Sequence, residues 1–212
     1  NSDTARVGRK SEAPSAAWHR PIHPGRQSQW HNPPMPDYRR NRVPGGRYFF
    51  TVNLLERQSD ILVSHIDLLR DAVRKVHTAR PFHIDAWVVL PDHMHAVWTL
   101  PPGDSDYSAR WRAIKVAFSK MLPKTEHLSL TRVMKRERGI WQRRFWEHTI
   151  RDELDYAAHV DYVHINPLKH GLVGCVRDWP HSSFHRCVGR GMYPPDWAGD
   201  GVADLAGGER RA

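Results

Sequence analysis

Residues 82–100 read FHIDAWVVLPDHMHAVWTL, and this stretch decides the fold. Two runs rich in apolar and β-branched residues flank Pro91-Asp92, where the proline disturbs the strand pattern because it cannot donate a backbone hydrogen bond. The stretch therefore predicts two consecutive strands, with His93 and His95 at the start of the second. Side chains at i and i+2 of a strand point to the same face, so both imidazoles can reach one cation.

The flanking sequence alternates between strand and helix patterns. Further strands are predicted at 48–54 and 141–150, and helices are predicted to begin at Ser59 or Asp60, at Ser108 and at Asp152. The weak, basic pattern at 123–139 predicts a mobile loop with a helical patch. The order β-α-β-β-α-β-α packs most simply as an antiparallel sheet, so the expected fold class is α+β, ferredoxin-like, with the helices packed on one face.

Both ends of the chain lack this periodicity. Residues 1–45 are rich in Pro, Ser, Arg and His, which predicts a disordered or surface-draped basic tail. The folded domain is expected over 46–198, and a flexible C-terminal tail over 199–212. Met35 is the expected natural start, with residues 1–34 an upstream extension.

A second motif lies in the last predicted helix. Tyr162 and Asn166 are four positions apart, so a phenol and an amide can face the same point. The residue before a proline is biased away from the α region, and Pro167 therefore predicts that Asn166 lies on a loosened last turn. Gly171 is the expected stop of this helix.

The net charge of +9 and the pI of about 9.9 point to a polyanionic partner. Residues 107–151 contain twelve Lys or Arg against three Glu, interleaved with aromatic residues, a mixture that suits phosphate contacts and stacking on unpaired bases. The candidate DNA-contacting residues are Arg110, Arg112, Lys115, Lys120, Arg143, Arg144, Trp146 and Lys169. Lys169 could contact phosphate only if the helix continued past Pro167. Trp111 and Phe118, seven apart in a helical pattern, are expected in the core.

The chain has two cysteines, with no CxxC pair, no secretory leader pattern and no apolar run of membrane length. This pattern is typical of a cytoplasmic protein and predicts no membrane partner. Cys175 and Cys187 are expected to be ordinary thiols rather than a disulfide or half of a zinc site.

Five stretches of the chain carry a resemblance to a known family. They are residues 44–54 (PGGRYFFTVNL), 86–95 (AWVVLPDHMH), 141–148 (WQRRFWEH), 159–173 (HVDYVHINPLKHGLV) and 179–183 (WPHSS). In this order they resemble the REP-associated tyrosine transposases, within the wider HUH nucleases, in which two histidines flank a hydrophobic residue. A lone HxH arises easily by chance in a chain with 15 histidines, whereas the ordered set is a specific signal.

The resemblance implies a metal-dependent transposase or endonuclease that cuts and rejoins single-stranded DNA through a 5′-phosphotyrosine. It implies that Tyr162 is the nucleophile and that His93, His95 and Asn166 hold a divalent metal ion, Mg²⁺ or Mn²⁺. The implied partner is single-stranded DNA with a hairpin formed by a repeated extragenic palindrome. The implied state is a monomer in the bacterial cytoplasm, associated with the nucleoid. Imidazole ligation by itself also fits Zn, Fe or Ni.

Other interpretations of the same residues stay open. The chain could recognise a DNA hairpin without cutting it, or hydrolyse nucleic acid with activated water while Tyr162 is a core residue. The two histidines could simply line a sheet edge. Asp92 could orient His93 or only form a turn, and His159 could act as a base or only pack.

Overall fold

The computed structural model describes residues 40–124, 130–134 and 138–198. The strands are β1 (Arg47–Asn53), β2 (His83–Val89), β3 (His93–Thr99) and β4 (Trp146–Thr149). The helices are α1 (Ile61–Ser64), α2 (Ile66–Ala79), α3 (Tyr107–Met121), α4 (Leu130–Met134), α5 (Glu153–Lys169) and α6 (Phe184–Gly189), with a 3₁₀ turn at Val176–Asp178. Within the described residues no helix is both long and apolar enough to cross a membrane.

The four strands form one antiparallel sheet in the order β2-β3-β1-β4. The central strand β1 is the richest in aromatic and β-branched residues, which suit a strand with neighbours on both sides. β2 and β3 form a hairpin closed by Pro91-Asp92, with the Leu90 amide donating to the His93 carbonyl at 2.8 Å. The predicted α+β fold with a ferredoxin-like sheet is confirmed.

The two faces of the sheet are covered by different helices. Alternate residues of β1 such as Tyr48 and Phe50 pack with Trp111 and Phe118 of α3 and with the apolar stripe of α2. Trp111 and Phe118 are fully buried, as predicted. Phe49, between Tyr48 and Phe50, points to the opposite face, which α5 covers. The predicted placement of the helices on one face differs from this arrangement, because the alternation of a strand gives β1 apolar side chains on both faces and a second helix layer is needed.

Several element boundaries differ from the prediction. The first predicted helix is interrupted at His65, whose φ of −119° and ψ of 38° are not helical, so that α1 and α2 are separate. The cap of α3 is Asp106, which accepts a hydrogen bond from the Ala109 amide, rather than Ser108. β4 begins only at Trp146 instead of residue 141. The helical patch expected within 123–139 corresponds to α4.

α5 begins at the predicted cap and stops just before Gly171, as predicted, but it continues through Pro167. The Asp152 side chain accepts a hydrogen bond from the Asp155 amide at 2.8 Å and caps the helix. The helix passes through Pro167 and ends at Lys169, so Asn166 lies on its last turn, as predicted. This turn is not loosened, because the His170 amide donates to the Asn166 carbonyl at 3.0 Å. Asn166 and Pro167 are both buried, and this packing outweighs the local bias against helix before a proline. Gly171 ends the turn at a φ of +66°, where a side chain would be strained.

The segment 181–183 closes the outer edge of β2. The Val89 amide donates to the His181 carbonyl at 2.9 Å, and the Ser183 amide donates to the Trp87 carbonyl at 2.8 Å. The short WPHSS stretch therefore has a structural role, because it satisfies backbone groups that an open edge strand would expose.

Part of the predicted N-terminal tail contacts the domain. The Arg40 guanidinium donates to the Ser108 hydroxyl at 2.8 Å, and the Asn41 amide donates to the Thr149 hydroxyl at 3.0 Å. The predictions made for residues 1–39 and for the C-terminal tail from residue 199 lie outside the described residues.

Candidate active site

The two histidines lie on the face of the sheet that α5 covers. His93 and His95 start β3, as predicted, and are paired across the sheet with Asn53 and Thr51 of β1. Both are buried, with exposed fractions of 1% and 0%. Their ring centroids are 5.0 Å apart and their planes are nearly perpendicular. The i, i+2 spacing thus produces the shared face that the sequence predicted.

Each imidazole is held by its Nδ1 atom. His93 Nδ1 lies 2.6 Å from an oxygen of Asp92, whose other oxygen is 2.7 Å from Arg57 Nε. His95 Nδ1 lies 2.9 Å from the Thr51 hydroxyl. Hydrogen bonds to one ring nitrogen fix the orientation of the other, which is how metal-binding histidines are commonly positioned. Of the two roles considered for Asp92, the structure shows the contact with His93.

α5 brings the phenol and the amide to the same place. The ring of Tyr162 lies against that of His95, with centroids 5.2 Å apart. The Asn166 amide nitrogen donates to the Tyr162 carbonyl at 3.4 Å, which directs the amide oxygen away from the helix backbone. Asn166 is buried and Tyr162 is half-buried.

Three buried atoms at this site lack a hydrogen-bond partner among the described residues. They are Nε2 of His93, Nε2 of His95 and Oδ1 of Asn166. A buried polar atom without a partner is costly, so such atoms point to a ligand. Two imidazole nitrogens and one amide oxygen are donors that a divalent cation accepts. The residues present therefore fit a metal ion.

Burial controls the charge of these groups. Burial, reinforced by the neighbouring His93, lowers the pKa of His95 well below its ordinary value, so this imidazole is neutral and its lone pair can bind a cation. Burial raises the pKa of Asp92, but the hydrogen bond from His93 and the charge of Arg57 outweigh it and lower that pKa overall.

Two residues at the end of α5 complete the surroundings. Because the helix continues past Pro167, Lys169 Nζ lies 4.8 Å from the centroid of the Tyr162 ring. The ring of His170 lies 5.0 Å from that of His93. Sequence reasoning missed His170, Thr51 and Arg57. Thr51 was detectable in principle, because it shares the strand face of Phe49, but the others depend on where α5 and the loop after β1 meet the site.

The candidate DNA-contacting residues fall into two groups. Arg143 and Arg144 are exposed just before β4, and Trp146 is exposed on β4 and contacts Phe49, on the face that carries the site. Arg112 and Lys120 are exposed on α3, the helix on the opposite face of the sheet. The structure therefore separates Arg112 and Lys120 from Tyr162 by the thickness of the sheet.

Two candidates for DNA contact, Arg110 and Lys115, make hydrogen bonds within the domain. Arg110 is 2% exposed, and its guanidinium donates to the carbonyls of Arg80, Pro81 and Asp106 and to the Asp104 carboxylate. It therefore ties α3 to the loop before β2. Lys115 Nζ donates to the Gln142 carbonyl at 3.0 Å and lies over the rings of Trp141 and Phe145. Both charged groups make their hydrogen bonds inside the domain, which helical periodicity alone did not predict.

The chain has relatives among known proteins. No protein-family model matches the chain. The chain is 54% identical over 176 residues to the REP-associated tyrosine transposase of Escherichia coli (strain K12), an alignment that covers 83% of this chain and 98% of that protein. A relative from Haemophilus influenzae is 46% identical over 167 residues, covering 78% and 95%. A solved structure of a REP-associated tyrosine transposase bound to a REP hairpin superposes with a TM-score of 0.70 at 52% identity, over 84% of this chain and 99% of that one.

Proposed function

Because the chain belongs to the REP-associated tyrosine transposases, we propose that it cuts and rejoins single-stranded DNA at hairpins of repeated extragenic palindromes. The observation that carries the proposal is that three buried atoms lack a partner among the described residues around Tyr162. They belong to His93 and His95, whose rings are 5.0 Å apart with that of Tyr162 5.2 Å from His95, and to Asn166, one helical turn after Tyr162. The site offers a nucleophile and a cation site at one point, which is what attack on a negatively charged phosphodiester requires.

The proposed cofactor is Mg²⁺ or Mn²⁺. His93 Nε2, His95 Nε2 and Asn166 Oδ1 would hold the ion, which would polarise a non-bridging phosphate oxygen and stabilise charge in the transition state. Two neutral imidazoles and an amide leave the ion its full positive charge. Three protein ligands also leave positions open for phosphate, as in catalytic rather than structural metal sites.

The bond changes follow from the nucleophile. The Tyr162 hydroxyl oxygen attacks phosphorus, the bond from phosphorus to the 3′ oxygen breaks, and a 5′-phosphotyrosine forms. The phenol loses its proton and the departing 3′ oxygen gains one, so the step is balanced without a nucleotide cofactor. The Lys169 ammonium, 4.8 Å from the ring centroid, favours the phenolate and attracts phosphate. The free 3′ hydroxyl can reverse the attack and rejoin a strand.

The DNA would lie along the side of the domain that exposes the β4 residues. Arg143 and Arg144 would contact phosphates and Trp146 an unpaired base, with Lys169 close to the cut. We propose that one chain completes the site as a monomer, since strand β3 and helix α5 of the same chain supply every ligand and the nucleophile. The folded domain that carries this activity would be residues 46–198, and the place of action the nucleoid in the cytoplasm.

The test is a denaturing gel of protein incubated with a labelled DNA hairpin carrying single-stranded flanks, with Mg²⁺ or Mn²⁺. A slowly migrating covalent adduct that needs the ion and disappears in Tyr162→Phe is expected. Tyr156→Phe is the matched control, because Tyr156 lies on the same helix and its hydroxyl contacts Asp85 outside the site. Cleavage without an adduct would instead support hydrolysis by water. Tight binding without cleavage would support a hairpin-binding protein that does not cut.

A further inference from the structure

A column of three nearly parallel rings reaches from the surface to α5. The rings of Trp146 and His148, both on β4, are 9° from parallel with centroids 6.1 Å apart. The rings of His148 and His159 are 15° from parallel with centroids 4.6 Å apart. Trp146 is 51% exposed, so one end of the column is open to solvent and the other is anchored on the helix. Trp146, His148 and His159 together form the ring column.

One carboxylate fixes the ring column. An oxygen of Asp155 lies 2.8 Å from His148 Nε2, and its other oxygen lies 3.0 Å from His159 Nδ1. Arg151 adds its backbone amide at 3.0 Å and its Nε at 3.2 Å. Burial raises the pKa of Asp155, but these hydrogen bonds outweigh it and lower that pKa to about 2, so the group stays ionised. Charge-assisted hydrogen bonds of this kind are short and directional, and they restrict both imidazoles.

The same three polar side chains could be considered as a second metal site. The ligand atoms of His148, Asp155 and His159 lie within 4.8 Å of one another. However, His159 Nδ1 also lies 2.8 Å from the Asp155 main-chain carbonyl, an acceptor that requires a proton on that nitrogen. The Arg151 guanidinium already lies beside the carboxylate. Hydrogen bonds therefore account for the cluster, and its effect is to position rings.

The ring column lies next to the reacting tyrosine. Phe49 links the two, because its ring contacts Trp146, His159 and Tyr162 at centroid distances of 5.6, 4.9 and 5.7 Å. The same ring lies 5.5 Å from that of His95. A single buried ring thus separates the exposed indole from the nucleophile and from a proposed metal ligand.

The segment that leads into Trp146 is basic. Arg143 and Arg144 are exposed in the segment that leads into β4. Proteins that bind single-stranded nucleic acid combine such a basic track for the backbone with aromatic faces for the bases. An isolated exposed tryptophan needs no explanation. A tryptophan that is held by fixed rings and preceded by two arginines offers a face for an unpaired nucleobase and positive charges for its phosphates.

We propose that Trp146 is the platform on which an unpaired base next to the cleaved phosphodiester stacks, and that Asp155, through His148 and His159, positions this platform. The inference rests on the proposed function and adds the contact that would align the strand with Tyr162. Trp146 touches the substrate, whereas Asp155, His148 and His159 act through it. Stacking on a fixed ring costs less ordering on binding than stacking on a mobile one.

The experiment measures binding in the Tyr162→Phe background, so that cleavage does not interfere. Fluorescence anisotropy follows a DNA hairpin with single-stranded flanks and a series of the same strand with one abasic site at each flanking position. Trp146→Ala is expected to weaken binding of the intact strand about 10- to 100-fold, the range for loss of one base–aromatic stack. At one abasic position this difference should vanish, because the base that stacks is already missing. Trp146→Phe should recover most of the affinity.

Leu154→Ala is the matched control, because Leu154 is an 86% exposed apolar residue on α5. Leu154→Ala should change the affinity for neither the intact strand nor the abasic strands. If Trp146→Ala weakened every abasic strand equally, or had no effect, the stacking proposal would be overturned. The adduct assay on the unmodified protein is read separately, so failure to cleave and failure to stack give different results.

The positioning role is tested by a double-mutant cycle. Asp155→Ala should weaken the intact strand but add little in the Trp146→Ala background, and it should not affect the strand with the decisive abasic site. If Asp155 only supported the fold, Asp155→Ala would weaken intact and abasic strands alike and would add fully to Trp146→Ala. Either of these results would overturn the positioning role while leaving the stacking test intact.

Discussion

Asp92 is a single residue through which the loop after β1 and the start of β3 both act on the candidate metal site. It lies 2.6 Å from His93 Nδ1 and is held from the other side by Arg57 at 2.7 Å. A carboxylate in this position fixes which ring nitrogen faces the ion and increases its basicity. In the proposed site this residue would contribute to metal affinity without being a ligand.

We expect Asp92→Asn to weaken Mn²⁺ binding about 10- to 100-fold, the usual effect of losing such a partner. Isothermal titration calorimetry with Mn²⁺ would measure it. Asp71→Asn is the control, because Asp71 also pairs with an arginine but lies on α2, away from the site. An unchanged affinity in Asp92→Asn would mean that packing alone orients His93.

Lys115 is a residue whose charge opposes folding. Burial, assisted by the charge of Arg40, lowers the pKa of Lys115 from 10.5 to about 8. Below pH 8 the ammonium is charged in both the folded and the unfolded chain. Between pH 8 and 10.5 the unfolded chain binds the proton more strongly, so the free energy of unfolding rises with pH in this window.

We expect the free energy of unfolding of the unmodified chain to rise relative to that of Lys115→Met by at most about 3 kcal/mol between pH 8 and 10.5. Urea titrations at several pH values would measure the difference. Lys120→Met, an exposed substitution on the same helix, should show no such change. Parallel pH curves for Lys115→Met and the unmodified chain would show that the buried ammonium does not oppose folding.

At the scale of elements, α5 is the helix on which the site depends, because it carries Tyr162 and Asn166 and covers the face with the histidines. Its first turn is capped by Asp152 through the Asp155 amide. Asp106 caps α3 in the same manner, on the other face of the sheet. The two caps are therefore alike in structure, but only the cap of α5 belongs to the helix that carries Tyr162.

We expect Asp152→Ala and Asp106→Ala each to lower the free energy of unfolding by about 1 kcal/mol, the usual cost of removing a capping side chain. Urea unfolding with an unchanged slope would measure it. Only Asp152→Ala should also slow adduct formation. Loss of this cap frays the first turn of α5, which carries Asp155, and so disturbs the ring column that lies next to Tyr162. Equal effects of the two substitutions on adduct formation would refute this link.

The elements show what sequence patterns can and cannot predict. Period-two alternation located the strands and placed His93 and His95 on one face, because that depends only on local geometry. The path of α5 through Pro167 could not be predicted, since burial of Asn166 and Pro167 decides it against the local preference. The contacts of Arg110 with the Arg80 and Pro81 carbonyls and of Lys115 with the Gln142 carbonyl were missed for the same reason, because these partners are far along the chain. The division of the helices between two faces likewise depends on packing of the whole sheet.

At the scale of the whole molecule, basic charge is distributed over both faces while the candidate site occupies one. Arg143 and Arg144 lie just before β4, the strand that carries Trp146 and His148 of the ring column, and Arg112 and Lys120 lie on helix α3. A strand bound at Tyr162 would contact the first pair and not the second. The dependence of affinity on salt reports how many phosphates are neutralised.

We expect the double substitution of Arg143 and Arg144 by glutamine to reduce the slope of log affinity against log salt by about 1 to 2. The corresponding double substitution of Arg112 and Lys120 should leave it unchanged. Both are measured with one labelled hairpin between about 50 and 200 mM salt. A reduced slope in the α3 variant would place DNA across the opposite layer as well.

The candidate ligands come from β3 and α5, two segments that meet only in the folded chain. A cation held by His93, His95 and Asn166 would therefore act as a reversible cross-link between helix and sheet. Detachment of α5 would require release of the ion, so amide hydrogens of this helix should exchange more slowly as the concentration of free ion rises. The concentration of free ion would then set how long α5 stays docked on β3. It would thereby set how long a nicked strand stays bound between cutting and rejoining.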